Sequence, residues 1–272
     1  MNWSEAAPPT SRIGLAGWLR VAVRAPILAV ITYGGLVVLL LVRLVEWPLF
    51  GQARPITPYI TQAVCRAGLV ILGLRLVVTG RPMAAKGAVV ANHSSWLDIF
   101  ALNAAQRVFF VAKSEVSGWP GIGWLARATG TVFITRKGQE AKRQQQLFEE
   151  RLRSGHRLLF FPEGTSTDAI RVLPFKSTLF QAFFSDGLRH QMHIQPVTVI
   201  FTAPKGRDPR FYGWWGDMDF AGHLLQMLAA SRRGRVEVVF HPEVPVEAFE
   251  NRKILATYCE RVIRTAHSQA VA

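Results

Sequence analysis

Acidic residues are scarce in this chain. Asp and Glu total 18 against 32 Lys and Arg, leaving a formal net charge of +14. Such a field attracts anionic partners, whether nucleic acid, anionic lipid, or an acidic carrier protein or cofactor, and charge alone does not choose among them. Charged residues make up 18% of the sequence and hydrophobic ones 50%, with a mean hydropathy of +0.19. Soluble domains usually carry about 25% charged residues, so the chain leans apolar, and a disordered chain is excluded. There are two cysteines, Cys65 and Cys259, far apart and without CxxC or metal-ligand spacing. They read as buried free thiols in a reducing compartment. No G-x-S-x-G is present, which removes the hydrolase nucleophile elbow. His156, His190 and His241 show no metal-ligand spacing, so no metal site is expected. Gly121-Ile122-Gly123-Trp124-Leu125-Ala126 imitates a dinucleotide fingerprint, but it follows Trp119-Pro120 rather than a strand, and no acidic residue stands about 20 positions on at a strand end.

What the sequence does have begins with an uncharged run, Ala25 to Val42, of 18 residues. As a helix it reaches roughly 27 Å, close to one hydrocarbon core. Arg12, Arg20 and Arg24 precede it and Arg43 follows, so the positive-inside rule sets no orientation. A signal peptide is disfavoured by the length of the run and the lack of a small-residue cleavage site, while a buried core helix stays open as the alternative. A second apolar stretch, Ala67 to Val78, is broken by Arg75 and too short to span alone. It fits either a helix half-buried against the bilayer or one running into the first strand of the following domain. Residues 1–80 therefore read as a membrane-associated helical segment, either one spanning helix or a helical pair dipping into one leaflet.

Gly80-Arg81-Pro82 punctuates the chain, and residues 81–272 then alternate short apolar runs with helical stretches. Predicted strands are Ala88–Ala91, Val108–Val111, Val132–Thr135, Leu158–Phe161, Pro196–Phe201 and Val236–Phe240. Predicted helices are Trp96–Ala105, Gln139–Ser154, Lys176–Ser185 and Ala248–His267. This alternation predicts an α/β fold whose mostly parallel central sheet is flanked by helices.

Two segments at strand ends carry chemistry. Asn92-His93-Ser94-Ser95-Trp96-Leu97-Asp98 follows the strand Ala88–Ala91. Five positions on one continuous helix would turn His93 and Asp98 about 140° apart. They meet only if His93 sits in the strand–helix turn, with Ser95 as N-cap and Asp98 in the first helical turn. Capping alone accounts for the same Ser-x-x-Asp pattern. The functional reading makes His93 a base whose tautomer Asp98 fixes. Phe160-Phe161-Pro162-Glu163-Gly164-Thr165-Ser166 ends a second apolar strand. There Glu163 reads either as an exposed turn residue or as a holder of a polar headgroup. Arg136 closes a third strand, with a planar fork suited to phosphate or carboxylate.

In this order the segments resemble the glycerolipid acyltransferase family. Asn92-His93 through Asp98 matches the first motif, NHxxxxD, in full. Lys113-x-Glu115 through Phe133-x-x-Arg136 is similar to the second, Phe161 to Ser166 to the third, and Gln195-Pro196-Val197 to the fourth. The resemblance implies a lysolipid O-acyltransferase of membrane lipid biosynthesis with a thioester donor, acyl carrier protein or coenzyme A, and no other cofactor or metal. It implies direct attack by the acceptor hydroxyl, with His93 as base and Asp98 as its support. It assigns Arg136, Glu163, Gly164, Thr165 and Ser166 to the acceptor site and Pro196 to the acyl pocket. It also implies an inner-membrane location with the site facing the cytoplasm, where the thioesters are.

One position departs from that family. Ser166 stands where an Arg for the phosphate of 1-acyl-sn-glycerol-3-phosphate is usual, a charge-assisted contact worth about 1.5–3 kcal/mol. Arg136, Arg171 and Lys176 are the cations left to compensate. The run Thr165 to Lys176 resembles the subgroup that acylates lyso-ornithine lipid, whose headgroup has no phosphate, so the acceptor is either of the two. The rival of a different class is a membrane-tethered basic module without catalysis, which leaves the strand-end carboxylates unexplained. A nucleic-acid partner is not expected, since Trp214-Trp215 is the one loose candidate for base stacking.

Overall fold

The computed structural model describes residues 12–134, 138–185, 187–231 and 233–271. Its first element, helix α1 (Leu15–Phe50), is 36 residues long, twice the run expected from hydropathy. The helix extends toward its N-terminus because the arginines that break the apolar run find partners. Arg20 Nε donates to the Ala229 carbonyl at 2.7 Å, and Arg24 Nη1 to Leu228 and Ala230 at 3.0 and 2.8 Å. Those carbonyls end helix α6 (Phe220–Ala229), so two cations satisfy its last turn.

Near its other end α1 buries Glu46, which accepts from the backbone N–H groups of Ile56 and Thr57 at 2.6 and 3.0 Å and from the Thr57 hydroxyl at 2.8 Å. These are the orphan donors of helix α2 (Thr57–Ile71), so Glu46 caps it from outside. Gly35 of α1 lies against Val64 of α2, and Val21 and Leu28 join the domain core. The opposite face of α1 exposes Leu19, Val30, Leu44 and Leu49.

Helix α2 leads through Leu72-Gly73 directly into strand β1 (Leu74–Thr79). The apolar stretch Ala67–Val78 is thus a helix end followed by a strand. Strand β1 pairs in parallel with β7 (Gly234–Phe240), so residues 74–79, assigned from sequence to the membrane-associated segment, form the edge of the central sheet.

The sheet order is β1-β7-β6-β2-β5-β3-β4, with β8 (Val244–Pro245) beside β6. Strands β2 (Gly87–Ala91), β3 (Phe109–Lys113), β4 (Val132–Ile134), β5 (Leu158–Phe160) and β6 (His193–Thr202) run parallel to their neighbours in this set. Only the pairings of β6 with β7 and β8 are antiparallel among the described residues. The sheet is mostly parallel, as its buried runs predict.

Two cores cover it. One face, through Val89, Ala91 and Leu159, packs on α1, α2, α6 and helix α3 (Leu97–Ala105). The other, through Ala88, Val90 and Phe160, packs on α5 (Gly138–Arg153), α7 (Arg252–Val271) and Phe180 and Phe183. Lys176–Ser185, predicted as an α-helix, contains instead a 3-10 helix over Leu179–Phe184. Between β3 and β4 lies the short helix α4 (Ile122–Ala128).

Candidate active site

Strand β2 ends at Ala91, and Asn92 fastens this end to its neighbour. Asn92 Nδ2 donates to the Val199 carbonyl at 2.9 Å, and its Oδ1 accepts from Val199 N at 2.8 Å. A buried amide satisfied on both sides holds the turn at a fixed height over β6. His93 follows in that turn, and α3 starts at Leu97, one residue later than expected. The Ser95 hydroxyl accepts from Leu97 N at 3.3 Å.

Asp98 lies in the first turn of α3 with its side chain fully buried. Its Oδ2 stands 2.7 Å from His93 Nδ1 and also accepts from Ser94 N at 2.7 Å and Ser95 N at 3.0 Å. The capping and the dyad readings of Asp98 are therefore both realised, by one oxygen. A carboxylate at Nδ1 puts the imidazole proton there and leaves Nε2 as the basic nitrogen. The His93 side chain is 22% exposed and its ring stacks on Phe161, with centroids 4.1 Å apart and an interplanar angle of 10°. The imidazole is thus fixed by a carboxylate at one edge and an aromatic face below.

The segment after β5 grips the peptide groups of His93. Glu163 is 2% exposed; its Oε1 accepts from His93 N and its Oε2 from Leu173 N, each at 2.6 Å. Thr167 donates to the His93 carbonyl through its N–H at 3.0 Å and its hydroxyl at 3.1 Å. Both halves of the His93 backbone are held by residues 163 and 167. Burial pushes the Glu163 carboxyl up to about 8, aided by the nearby Asp98 charge and opposed by the two backbone donors and by Arg264. Glu163 is therefore no exposed turn residue, and both of its oxygens serve as an internal brace. Thr167 enters the sequence reading only within the run Thr165 to Lys176, without a role; its signal, a hydroxyl four positions past the Glu, means nothing until the turn is folded.

The other expected site residues divide. Gly164 adopts φ +74 and turns the chain by donating its N–H to the Phe161 carbonyl at 3.1 Å. Thr165 is exposed and Ser166 buried beside it. Pro196 sits within β6 opposite Val90, in the middle of the sheet rather than on a loop, and its carbonyl accepts from His241 N at 3.1 Å. Arg136 lies outside the described residues. Of the compensating cations, Arg171 is tied to buried Asp168, Nη2 to Oδ2 at 2.8 Å, while Lys176 holds Nζ 3.0 Å from where a Gly164 side chain would begin.

A third wall comes from the loop before α6. Trp214 N donates to the Ser94 carbonyl at 3.0 Å, and Gly213 packs against the Asp168 backbone so closely that a Cβ would lie 2.5 Å from the carbonyl carbon. Trp96 Nε1 donates to His223 Nδ1 at 2.9 Å, and Phe220 meets both Trp96 and Trp214 edge-on. Burial holds His223 down to about 4, so it stays neutral and can accept from the indole.

The arrangement is a base–carboxylate pair braced on every side at the ends of β2, β5 and β6. The Acyltransferase family matches residues 75–200, which contain the His93–Asp98 pair and its braces at Glu163 and Thr167. Over 98% of this chain and 97% of the relative, the sequence is 58% identical to the lyso-ornithine lipid O-acyltransferase of Rhodobacter capsulatus. The chain belongs to the glycerolipid acyltransferase family. A second member, the lyso-ornithine lipid O-acyltransferase of Rhizobium meliloti, is 35% identical over 73% of this chain and 71% of its own. The 1-acyl-sn-glycerophosphate acyltransferase PlsC of Thermotoga maritima shares the fold, with TM-score 0.68 over 94% of this chain and 96% of that one at 23% identity. As a family member the chain is a lysolipid O-acyltransferase of membrane lipid synthesis, and its long apolar helix associates it with the membrane.

Proposed function

We propose that this acyltransferase esterifies the free hydroxyl of lyso-ornithine lipid, with an acyl thioester of acyl carrier protein or coenzyme A as donor. The observation that carries the chemistry is the 2.7 Å contact from His93 Nδ1 to Asp98 Oδ2. His93 Nε2 takes the hydroxyl proton as the oxygen attacks the thioester carbonyl. Asp98 stabilises the imidazolium, the C–S bond breaks as the ester forms, and the proton passes to the departing sulfur. General-base help of this kind contributes about 10²–10⁴ in rate. Glu163 and Thr167 act one step back, by holding the His93 backbone.

Two features support the acceptor assignment. Relatives 58% and 35% identical over 98% and 73% of this chain carry the lyso-ornithine name, and Ser166 offers no cation for a phosphate. Lys176, beside Gly164, would meet the carboxylate of an amino-acid headgroup. The exposed face of α1 would lie in one leaflet of the inner membrane, because α2 and the domain occupy its other side. The active site would face the cytoplasm, where thioester donors are made. Purified protein given one acyl donor should acylate lyso-ornithine lipid at least about tenfold faster than 1-acyl-sn-glycerol-3-phosphate, the selectivity expected of one charge-assisted contact. Preference for the phosphate acceptor would overturn the assignment and leave the chemistry at His93 untouched.

A further inference from the structure

A cavity of about 590 Å³ opens where the end of α2 meets the start of β1, the start of β7 and the end of β6. Its lining includes Arg66, Arg75, Arg233 and Arg235 and no Asp or Glu. The parallel register sets Arg75 directly opposite Arg235 across β1 and β7. Like charges so placed destabilise a strand pair unless something of opposite sign sits between them. Glu237 pairs with Arg235, and Arg66 Nε donates to the Ala104 carbonyl at 2.9 Å. Neither Arg75 nor Arg233 has a carboxylate partner among the described residues, and Arg233 also feels the charge of Arg24. The fold thus keeps two exposed guanidinium groups without a carboxylate partner at one cavity, placed to meet a bound anion.

Apart from Thr202 the rest of the lining is apolar or glycine, including Leu69 and Leu74, and Val70 is 68% exposed at the rim. Helix α2 packs along α1, whose outer face is apolar, so the cavity adjoins the helical pair that meets lipid. An anion with hydrocarbon attached fits such a lining better than a free ion does. We propose that this cavity binds the phosphate diester of an anionic phospholipid from the bilayer, as a site separate from the acceptor site at His93. Guanidinium groups suit phosphate oxygens, and the apolar lining takes the glycerol and first methylenes. None of the lining residues belongs to the group that braces His93, so the inference stands apart from the choice of acceptor.

The test is thermal melting of the full chain in nonionic detergent with dihexanoylphosphatidylglycerol, dihexanoylphosphatidylcholine or inorganic phosphate. Binding to the native state alone raises Tm. The anionic lipid should do so at a half-maximal concentration at least about tenfold below the other two, as loss of one strong contact implies. Arg75→Gln with Arg233→Gln should raise that concentration by about tenfold or more, without lowering Tm in the absence of lipid. Should the double variant melt lower, Arg75→Gln alone, at an exposed edge-strand position, carries the comparison. Equal shifts from the two lipids or from phosphate, or an unchanged response in the variant, would overturn the proposal. An arginine-dependent shift from acyl-coenzyme A as large as that from phosphatidylglycerol would also overturn it, in favour of a donor site.

Discussion

At the scale of single residues, three donors converge on one oxygen, Asp98 Oδ2, which makes the carboxylate both a cap and a partner for His93. Asp98→Asn offers a weaker acceptor and loosens the tautomer, so kcat should fall by about 10²–10⁴ with acceptor KM little moved. His93→Ala should abolish transfer while leaving the protein in the membrane fraction; retained transfer would remove His93 from the mechanism. Glu163 yields a different signature. Its raised pKa means that the folded protein holds a proton which the unfolded chain releases near pH 4.5. Stability from this group is complete below pH 4.5 and falls as pH rises toward 8. Glu163→Gln should flatten stability between pH 6.5 and 8 and lower kcat through the loosened His93 turn. A slope unchanged in chemical denaturation across that window would exclude Glu163 as its source.

The first of these residues was legible in sequence and the second only partly. NHxxxxD declares itself because strand, turn and helix signals all fall within seven residues. Glu163 was singled out, but not its hold on His93: its Oε1 accepts from His93 N, 70 positions upstream, and no local pattern reports such a distance. The contacts of Thr167 and Trp214 with the His93 turn were missed for the same reason.

Among elements, the least readable boundary was that between α2 and β1, where apolar residues run on from helix to strand and only Gly73, at φ +72, marks the change. Strands β2 and β5 were plain because burial on both faces makes their whole length apolar. The 3-10 geometry of Leu179–Phe184 could not be separated from an α-helix by periodicity over six residues. The cap on α2 is the element-scale feature most open to experiment. Thr57→Ala removes one of four donors to Glu46 and should cost about 0.5–2 kcal/mol. Glu46→Ala leaves two backbone donors unpaired and should cost more, read as a larger fall in Tm; equal or negligible losses would show that the cap is not what holds α2.

The molecule as a whole should also respond to acid. Burial holds His156 and His223 near 4, with Arg151 adding to the effect at His156. Both stay neutral in the fold and charge in the unfolded chain below pH 6.5. Their contribution is complete above that value and is lost as pH falls toward 4, opposite in sign to Glu163. Stability should therefore peak near the middle of the range, and His223→Phe should soften the acid limb. An acid limb of unchanged steepness in that variant would count against the assignment.

The two ends of α1 are bonded to different parts of the domain, Arg20 and Arg24 to α6 and Glu46 to α2. The apolar helix is consequently a wall of the enzyme and not a leash. Trimming it away to obtain a water-soluble catalyst would strip Val21 and Leu28 from the core and uncap α2, so the trimmed form should aggregate. The reaction centre also has no slack with respect to the lipid surface. Substrates must come to a fixed height, and the depth at which the helix sits in the membrane sets how far a lysolipid must move to be acylated.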